Sequence, residues 1–247
     1  PGNDIFITYP IRSMGTGNNV SNIACDKNGD IWTAGEWSVF RFNRNKNSFD
    51  ETIKLTQYKD SLAFYKIRKN GLLIDPSGNG IWLATGFGLM YYDIPNNLIQ
   101  NFKTNPGHPL FLQESVSALS QTSAGIFWFF NNARKEAVSF EPASRKILKR
   151  INISSVLPVA DVATLFEDRN KRLWLSSVTF EMLVIDIADD RIYKLEHKPE
   201  DQRTIAAKFF WSAFQDDDGV IWVGTHGGIS RCNPERINYT HLRLPEK

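Results

Sequence analysis

Three features of the sequence predict an all-β fold, a propeller of four-stranded antiparallel blades. Tryptophans recur at separations of 50, 46, 46 and 48 residues, at Trp32, Trp82, Trp128, Trp174 and Trp222. Most follow a turn rich in Asp, Asn or Gly, as in "DKNGDIW", "DPSGNGIW" and "DDDGVIW". Around them, short apolar runs alternate with period two, the signature of half-buried strands. Self-similarity at about 45 residues with four strands per unit is the mark of a propeller blade.

Each unit repeats one grammar. An alternating run, such as "VSNIACD", "GLLID", "VATLFED" or "FWSAFQD", leads into the turn and forms the innermost strand. The strand bearing the tryptophan follows, then a turn of glycine or small residues, then a third strand such as "GLMYYD" or "GISRCN". A polar turn leads to a weaker fourth strand. A large aromatic at the same point of every second strand is read as blade core, filling the seam with a neighbouring blade for roughly 2–3 kcal/mol each. The expected blades span about 20–53, 68–103, 115–151, 161–196 and 209–245, within a single domain over 1–247. Residues 5–10 ("IFITYP") read as the outer strand of a preceding blade, and "INYTHLRLP" as the fourth strand of the last. Propellers close with four to eight blades, so a closed five-bladed ring and an arc of a larger propeller are both open.

Composition narrows the function classes. A net charge of +2, with both signs well mixed, argues against an electrostatic nucleic-acid binder. No apolar run approaches the ~18 residues of a membrane helix. The chain begins Pro-Gly-Asn and is expected to be a piece of a longer protein. Two cysteines, Cys25 and Cys232, are too few for a disulfide framework and are read as buried thiols. The four histidines show no zinc spacing, and the aspartates of "DKNGD" and "DDDG" lack the full calcium-loop pattern, so they are read as hairpin-turn residues. No metal or cofactor is expected.

The pattern V-S-x-I-x-x-D-x-x-G-x-I-W-x-G-T-x-x-G-L, clearest in "DPSGNGIWLATGFGLMYYD" and "DDDGVIWVGTHGGISRCN", resembles the two-component regulator propeller repeat. The resemblance runs through all five units. It implies the extracytoplasmic, periplasmic sensor region of a hybrid two-component histidine kinase of the Bacteroides type. In that family the propellers are usually seven-bladed, often two in tandem, ahead of an immunoglobulin-like domain, a membrane helix and a kinase. It further implies a non-catalytic module that binds a glycan-derived oligosaccharide and controls polysaccharide-utilisation genes. The partners expected are that ligand and the downstream immunoglobulin-like and kinase domains, with homodimerisation open. This chain departs from the pattern in having five blades, and in blades three and four, which read "TSAGIFWFFNNARKEA" and "WLSSVTFEMLVID". Two rivals stand beside the sensor. One is a propeller lyase like streptogramin lyase, which works with a histidine, acidic residues and magnesium; the other is a protein-interaction scaffold.

Departures from the repeat mark the candidate ligand face, at the turns between second and third strands. From tryptophan to the end of the third strand, blades one, two and five take eleven residues, blade four twelve and blade three thirteen. The additions bring Asn131, Asn132, Arg134 and Lys135 in blade three and Phe180 and Glu181 in blade four. Trp37, Phe87 and His226 are non-repeating tips of the same turns. Trp211 stands where the other innermost strands carry Ser21, Ser117 and Ala163, and reads equally as a channel plug or a stacking platform. Aromatics suit sugar faces, and the polar residues suit hydroxyls, sulfates or uronates. His226 has no histidine counterpart in the other turns, which favours an exposed tip over a catalyst. The loops between blades place Tyr58, Tyr65, His108 and Phe111 on the same rim.

Overall fold

The computed structural model describes residues 7–9, 11, 20, 22–55, 67–101, 114–156, 162–177, 182–201, 204–206, 210–225, 227–234 and 240–242. It is an all-β propeller of five blades. Blade one comprises β1 (Asn22–Cys25), β2 (Ile31–Ala34), β3 (Ser38–Asn43) and β4 (Ser48–Lys54). Blade two comprises β5 (Ile67–Ile74), β6 (Gly80–Thr85), β7 (Gly88–Asp93) and β8 (Leu98–Asn101). Blade three comprises β9 (Val116–Gln121), β10 (Phe127–Asn131), β11 (Glu136–Glu141) and β12 (Lys146–Asn152). Blade four comprises β13 (Val162–Glu167), β14 (Arg172–Ser177), β15 (Met182–Asp186) and β16 (Ile192–Leu195). Blade five comprises β17 (Phe210–Gln215), β18 (Ile221–Thr225) and β19 (Gly228–Cys232). Innermost strands pack in succession, β1 on β5, β5 on β9, β9 on β13 and β13 on β17.

Four of the five tryptophans cross a seam. Trp32 lies in a core with Leu72, Leu83 and Tyr92 of blade two. Trp82 meets Phe127 and Phe140 of blade three edge-on, with centroids 6.3 and 5.1 Å apart. Trp128 packs with Leu173, Leu183 and Ile185 of blade four, and Trp174 with Ile221 and Val223 of blade five. These four rings are 0–2% exposed. Trp222 points the same way from blade five and is 38% exposed, with its cross-strand partner Phe214 at 65%. Ile229 occupies the register of Val39, Leu89, Ala137 and Met182, all at most 1% exposed, yet is itself 76% exposed. The outward face of blade five is therefore built like a seam and open to solvent.

The turn aspartates do more than close hairpins. In blade one, one oxygen of Asp26 accepts the N–H groups of Asn28 and Asp30, and the other accepts the Trp32 indole N–H at 2.9 Å. The same indole bond joins Trp82 to Asp75 at 2.8 Å, Trp174 to Asp168 at 2.8 Å and Trp222 to Asp216 at 2.6 Å. Burial pushes the Asp26 carboxyl up, but the Trp32 indole, the two backbone N–H groups and Arg41 outweigh it and hold the group below its usual range. Blade three has Thr122 at this place, and the Trp128 indole donates instead to Glu167 of blade four at 2.7 Å.

Three expectations are corrected. The segment 240–242 does not complete blade five: β20 (Thr240–Leu242) adds antiparallel to β16 as a fifth strand of blade four. Arg172 of blade four donates to the Pro234 carbonyl, drawing the chain beyond β19 towards that sheet, whose β16 edge offers unpaired backbone groups. Of residues 5–10, Ile7, Thr8 and Tyr9 are described and are not strand; Tyr9 packs edge-on against Phe42 at 5.0 Å. Cys25 is exposed rather than buried, because it shares with Ile23 (74% exposed) the face of β1 opposite Ala24, which packs on the core with blade two. Cys232 packs behind Trp174, and burial raises its thiol to about 11.

Two measurements follow from this packing. Trp82→Ala is expected to destabilise the protein by about 3–5 kcal/mol, and Trp222→Ala by clearly less, since its ring is already part-solvated; equal losses in denaturant unfolding would show that blade five is covered. A maleimide reagent at pH 8 is expected to label Cys25 first and to leave Cys232 unmodified until the protein unfolds.

Candidate functional site

The turns joining second to third strands, and the starts of the innermost strands, lie at one end of the blades. In blades two and five a threonine brackets the turn. Thr85 Oγ1 donates to the Gly88 carbonyl and accepts the Phe87 N–H, and Thr225 does the same with Gly228 and Gly227. Gly88 and Gly228 take φ of 102° and 128°, which side chains rarely tolerate. The "GT" of the repeat is thus a turn clamp.

Blade three replaces this clamp with an asparagine and an ion pair. Asn131 is fully buried; its Oδ1 accepts the N–H groups of Ala133 and Arg134, and its Nδ2 donates to Glu114 at 2.9 Å. Arg134 Nε reaches both oxygens of Glu114, at 2.9 and 3.1 Å. Burial pushes the Glu114 carboxyl up, yet the bonds from Arg134 and Asn131 hold it below its usual range. Asn131 and Arg134 therefore frame this turn. Asn132 instead faces the innermost strand, where its Nδ2 lies 3.3 Å from Ser115 Oγ and 3.2 Å from Ser117 Oγ. Lys135 takes a left-handed φ of 58°, and its carbonyl accepts the Ile153 N–H.

Trp37 is half-buried, and its carbonyl accepts the Leu55 N–H. Phe87 packs against the core between blades one and two. Trp211 sits in a bulge between the Phe210↔Thr225 and Ser212↔Gly224 pairs, the register of Ala163 in blade four. Its carbonyl accepts a bond from Thr164, and the residue is 45% exposed. Phe180, Glu181 and His226 lie outside the described residues, as do Tyr58, Tyr65, His108 and Phe111. Among the described residues, no group of three His, Cys, Asp or Glu side chains converges on a metal site.

Sequence reasoning missed the start of β5. Pairing passes from Ile67↔Thr85 to Leu72↔Leu83, so residues 68–71 bulge from the ladder. Asn70 takes φ 48°, and a Cβ on Gly71 would meet the Arg68 and Ala84 carbonyls at 2.5 and 2.9 Å. The bulge sends Asn70 across to blade four, where Nδ2 donates to the Ala163 carbonyl at 2.8 Å. It also places an Arg68 Nη 3.1 Å from Ser115 Oγ, next to Asn132. The signal was present in "IRKNGLLID", where two cations and Asn-Gly interrupt an innermost strand.

A model of the two component regulator propeller matches residues 204–227. A search of curated protein sequences finds no match to the chain. Among solved structures, it is similar to the extracellular domain of a putative hybrid two component system from B. thetaiotaomicron. The identity is 19% and the TM-score 0.70, over 94% of this chain and 31% of that one. It is also similar to a catalytically inactive virginiamycin B lyase from Staphylococcus aureus solved with quinupristin, at 13% identity and TM-score 0.63, over 94% and 72% of the two chains. The WD40 β-propeller domain of Doa1 matches at 12% identity and TM-score 0.55, over 88% and 64%. The chain thus spans about a third of the length of that extracellular domain, and identities this low speak to fold.

Removing the buried asparagine tests the turn. Asn131→Ala leaves the Ala133 and Arg134 N–H groups without their acceptor, and is expected to cost about 1–3 kcal/mol in denaturant unfolding; an unchanged midpoint would show that the turn is held otherwise.

Proposed function

We propose that this chain is the sensor propeller of a hybrid two-component regulator, placed outside the cytoplasm, and that its turn-bearing face recognises a glycan-derived oligosaccharide. The observation that carries the reading is the pairing of an exposed indole with a polar cluster at one end of the innermost strands. Trp211 offers an apolar platform, and Arg68, Ser115 and Asn132 offer donors and acceptors at the same end of the blades. Sugars are bound by this combination, since their C–H faces stack on aromatics and their hydroxyls need directed hydrogen bonds. The match to the regulator repeat and the likeness to an extracellular domain of a two component system support the signalling context. Occupancy of this face is read out by immunoglobulin-like and kinase domains of a parent chain, and the output is control of polysaccharide-utilisation genes. The lyase likeness contributes the fold and no catalytic residue.

Calorimetry against a panel of oligosaccharides is expected to find binding, with Trp211→Ala weakening it about tenfold, or ~1.4 kcal/mol, at an unchanged unfolding midpoint. Product formation from a ligand with a divalent metal added would overturn the sensor reading in favour of a lyase.

A further inference from the structure

Arg68 differs from the arginines that are held in ion pairs among the described residues. Arg134 is neutralised by Glu114, Arg150 by Glu136, Arg172 by Asp168 and Arg169 by Asp217. Among the described residues Arg68 has no carboxylate partner; its one bond is from Nη to the neutral Ser115 hydroxyl at 3.1 Å. Its Nε is closed off from solvent and has no acceptor. A guanidinium N–H closed off from water without an acceptor is a costly arrangement, and structures retain one where something other than the fold supplies the acceptor.

The backbone shows that this placement is built. The bulge at residues 68–71 requires a left-handed Asn70, at φ 48°, and a glycine at 71, whose Cβ would otherwise strike the Arg68 carbonyl at 2.5 Å. Asn70 anchors the bulge to blade four through Ala163 and Thr164. Bulges re-aim side chains, and this one carries Arg68 to the cluster of Ser115, Ser117 and Asn132. The Ser115 hydroxyl accepts from both Arg68 and Asn132, which leaves its own proton available to a further acceptor. The one carboxylate next along the chain, Glu114, is already held by Arg134 and Asn131.

We infer that Arg68 is an anion-recognition residue, and that the ligand of this face carries a carboxylate or sulfate ester seated against the Arg68 guanidinium and flanked by Ser115 and Asn132. The inference rests on the oligosaccharide reading above and narrows it to acidic sugars. Guanidinium matches both groups through paired, charge-assisted hydrogen bonds. The exposed indole of Trp211, at the same end of the blades, would take an uncharged face of the same ligand.

The test is calorimetry of the intact chain with matched oligosaccharides in neutral, uronate-bearing and sulfated forms. Uronate and sulfated arms separate the two anion sources. Acidic forms are expected to bind and neutral forms to bind at least tenfold more weakly. Arg68→Gln is expected to weaken acidic ligands about ten- to hundredfold, Arg68→Lys less, and Lys46→Gln, on an exposed hairpin, not at all. Arg68→Gln is also expected to keep or raise the thermal midpoint, because it removes an uncompensated charge. A midpoint several degrees lower would make Arg68 a structural residue and overturn the inference. Equal binding of neutral and acidic forms, unaltered by Arg68→Gln, overturns it while leaving the oligosaccharide reading intact. Should no oligosaccharide bind, that reading fails, and sodium sulfate and acetate titrated against the Arg68 side-chain NMR signal decide the anion site. A saturable shift at millimolar concentration keeps it, and no shift removes it.

Discussion

The fold depends on an indole that faces two ways. In blades one to four the tryptophan of the second strand gives its ring to the next blade, and in blades one, two, four and five the indole N–H goes to the carboxylate of its own turn. A buried indole needs an acceptor, and a buried turn carboxylate needs donors, so each satisfies the other. The bond fixes the ring at a set height in the sheet, and the seam then forms from whatever aliphatic and aromatic residues meet it. Blade-to-blade packing is consequently a series of similar contacts with different fillings: Leu72, Leu83 and Tyr92 around Trp32, phenylalanines around Trp82, aliphatics around Trp128 and Trp174.

The skeleton was legible because it is periodic. Tryptophan spacing, turn residues and alternation identify the strands, and the register expected at Trp211 is the register observed opposite Ala163. What was not legible has a common cause: it lies in relations between residues that the repeat does not require. The indole–carboxylate bond joins residues six or seven apart, and strand alternation says nothing about side chains meeting across a turn. The path of 240–242 to β16 depends on an edge left open by another blade. At the candidate site, Asn131 and Arg134 look like ligand-facing loop residues in sequence, yet burial and Glu114 commit them to the turn. Arg68 was passed over because it sits in a strand, where a cation reads as a solvated side chain; only the bulge turns it inward.

Stability and recognition are divided between the two ends of the blades. At the end bearing the carboxylate turns, seams are tied by cations whose partners come from the adjacent blade. Lys27 donates to the Ser77 carbonyl and Asn79, and Arg169 to the Asp217 carbonyl. Their bonds are satisfied within the fold. The opposite end holds the wide bulge at residues 68–71, the asparagine turn of blade three and the half-exposed indole of blade five, while smaller bulges recur in β9, β13 and β17. Departures from a repeat concentrate where a rigid frame can tolerate them.

The bond from Trp128 to Glu167 has a consequence for how this molecule can vary over evolutionary time. Blades one, two, four and five each carry both halves of their indole clamp, so such a unit can be duplicated or exchanged as a self-sufficient cassette. Blade three has Thr122 where the others have the aspartate and takes its acceptor from blade four. The two form a linked pair: recombination at their boundary would leave an indole N–H without its acceptor, while Glu167 would keep only Lys171 of its own blade. Among relatives with reshuffled blades, a third-type unit lacking the turn aspartate is expected to travel with a fourth-type unit that keeps the glutamate.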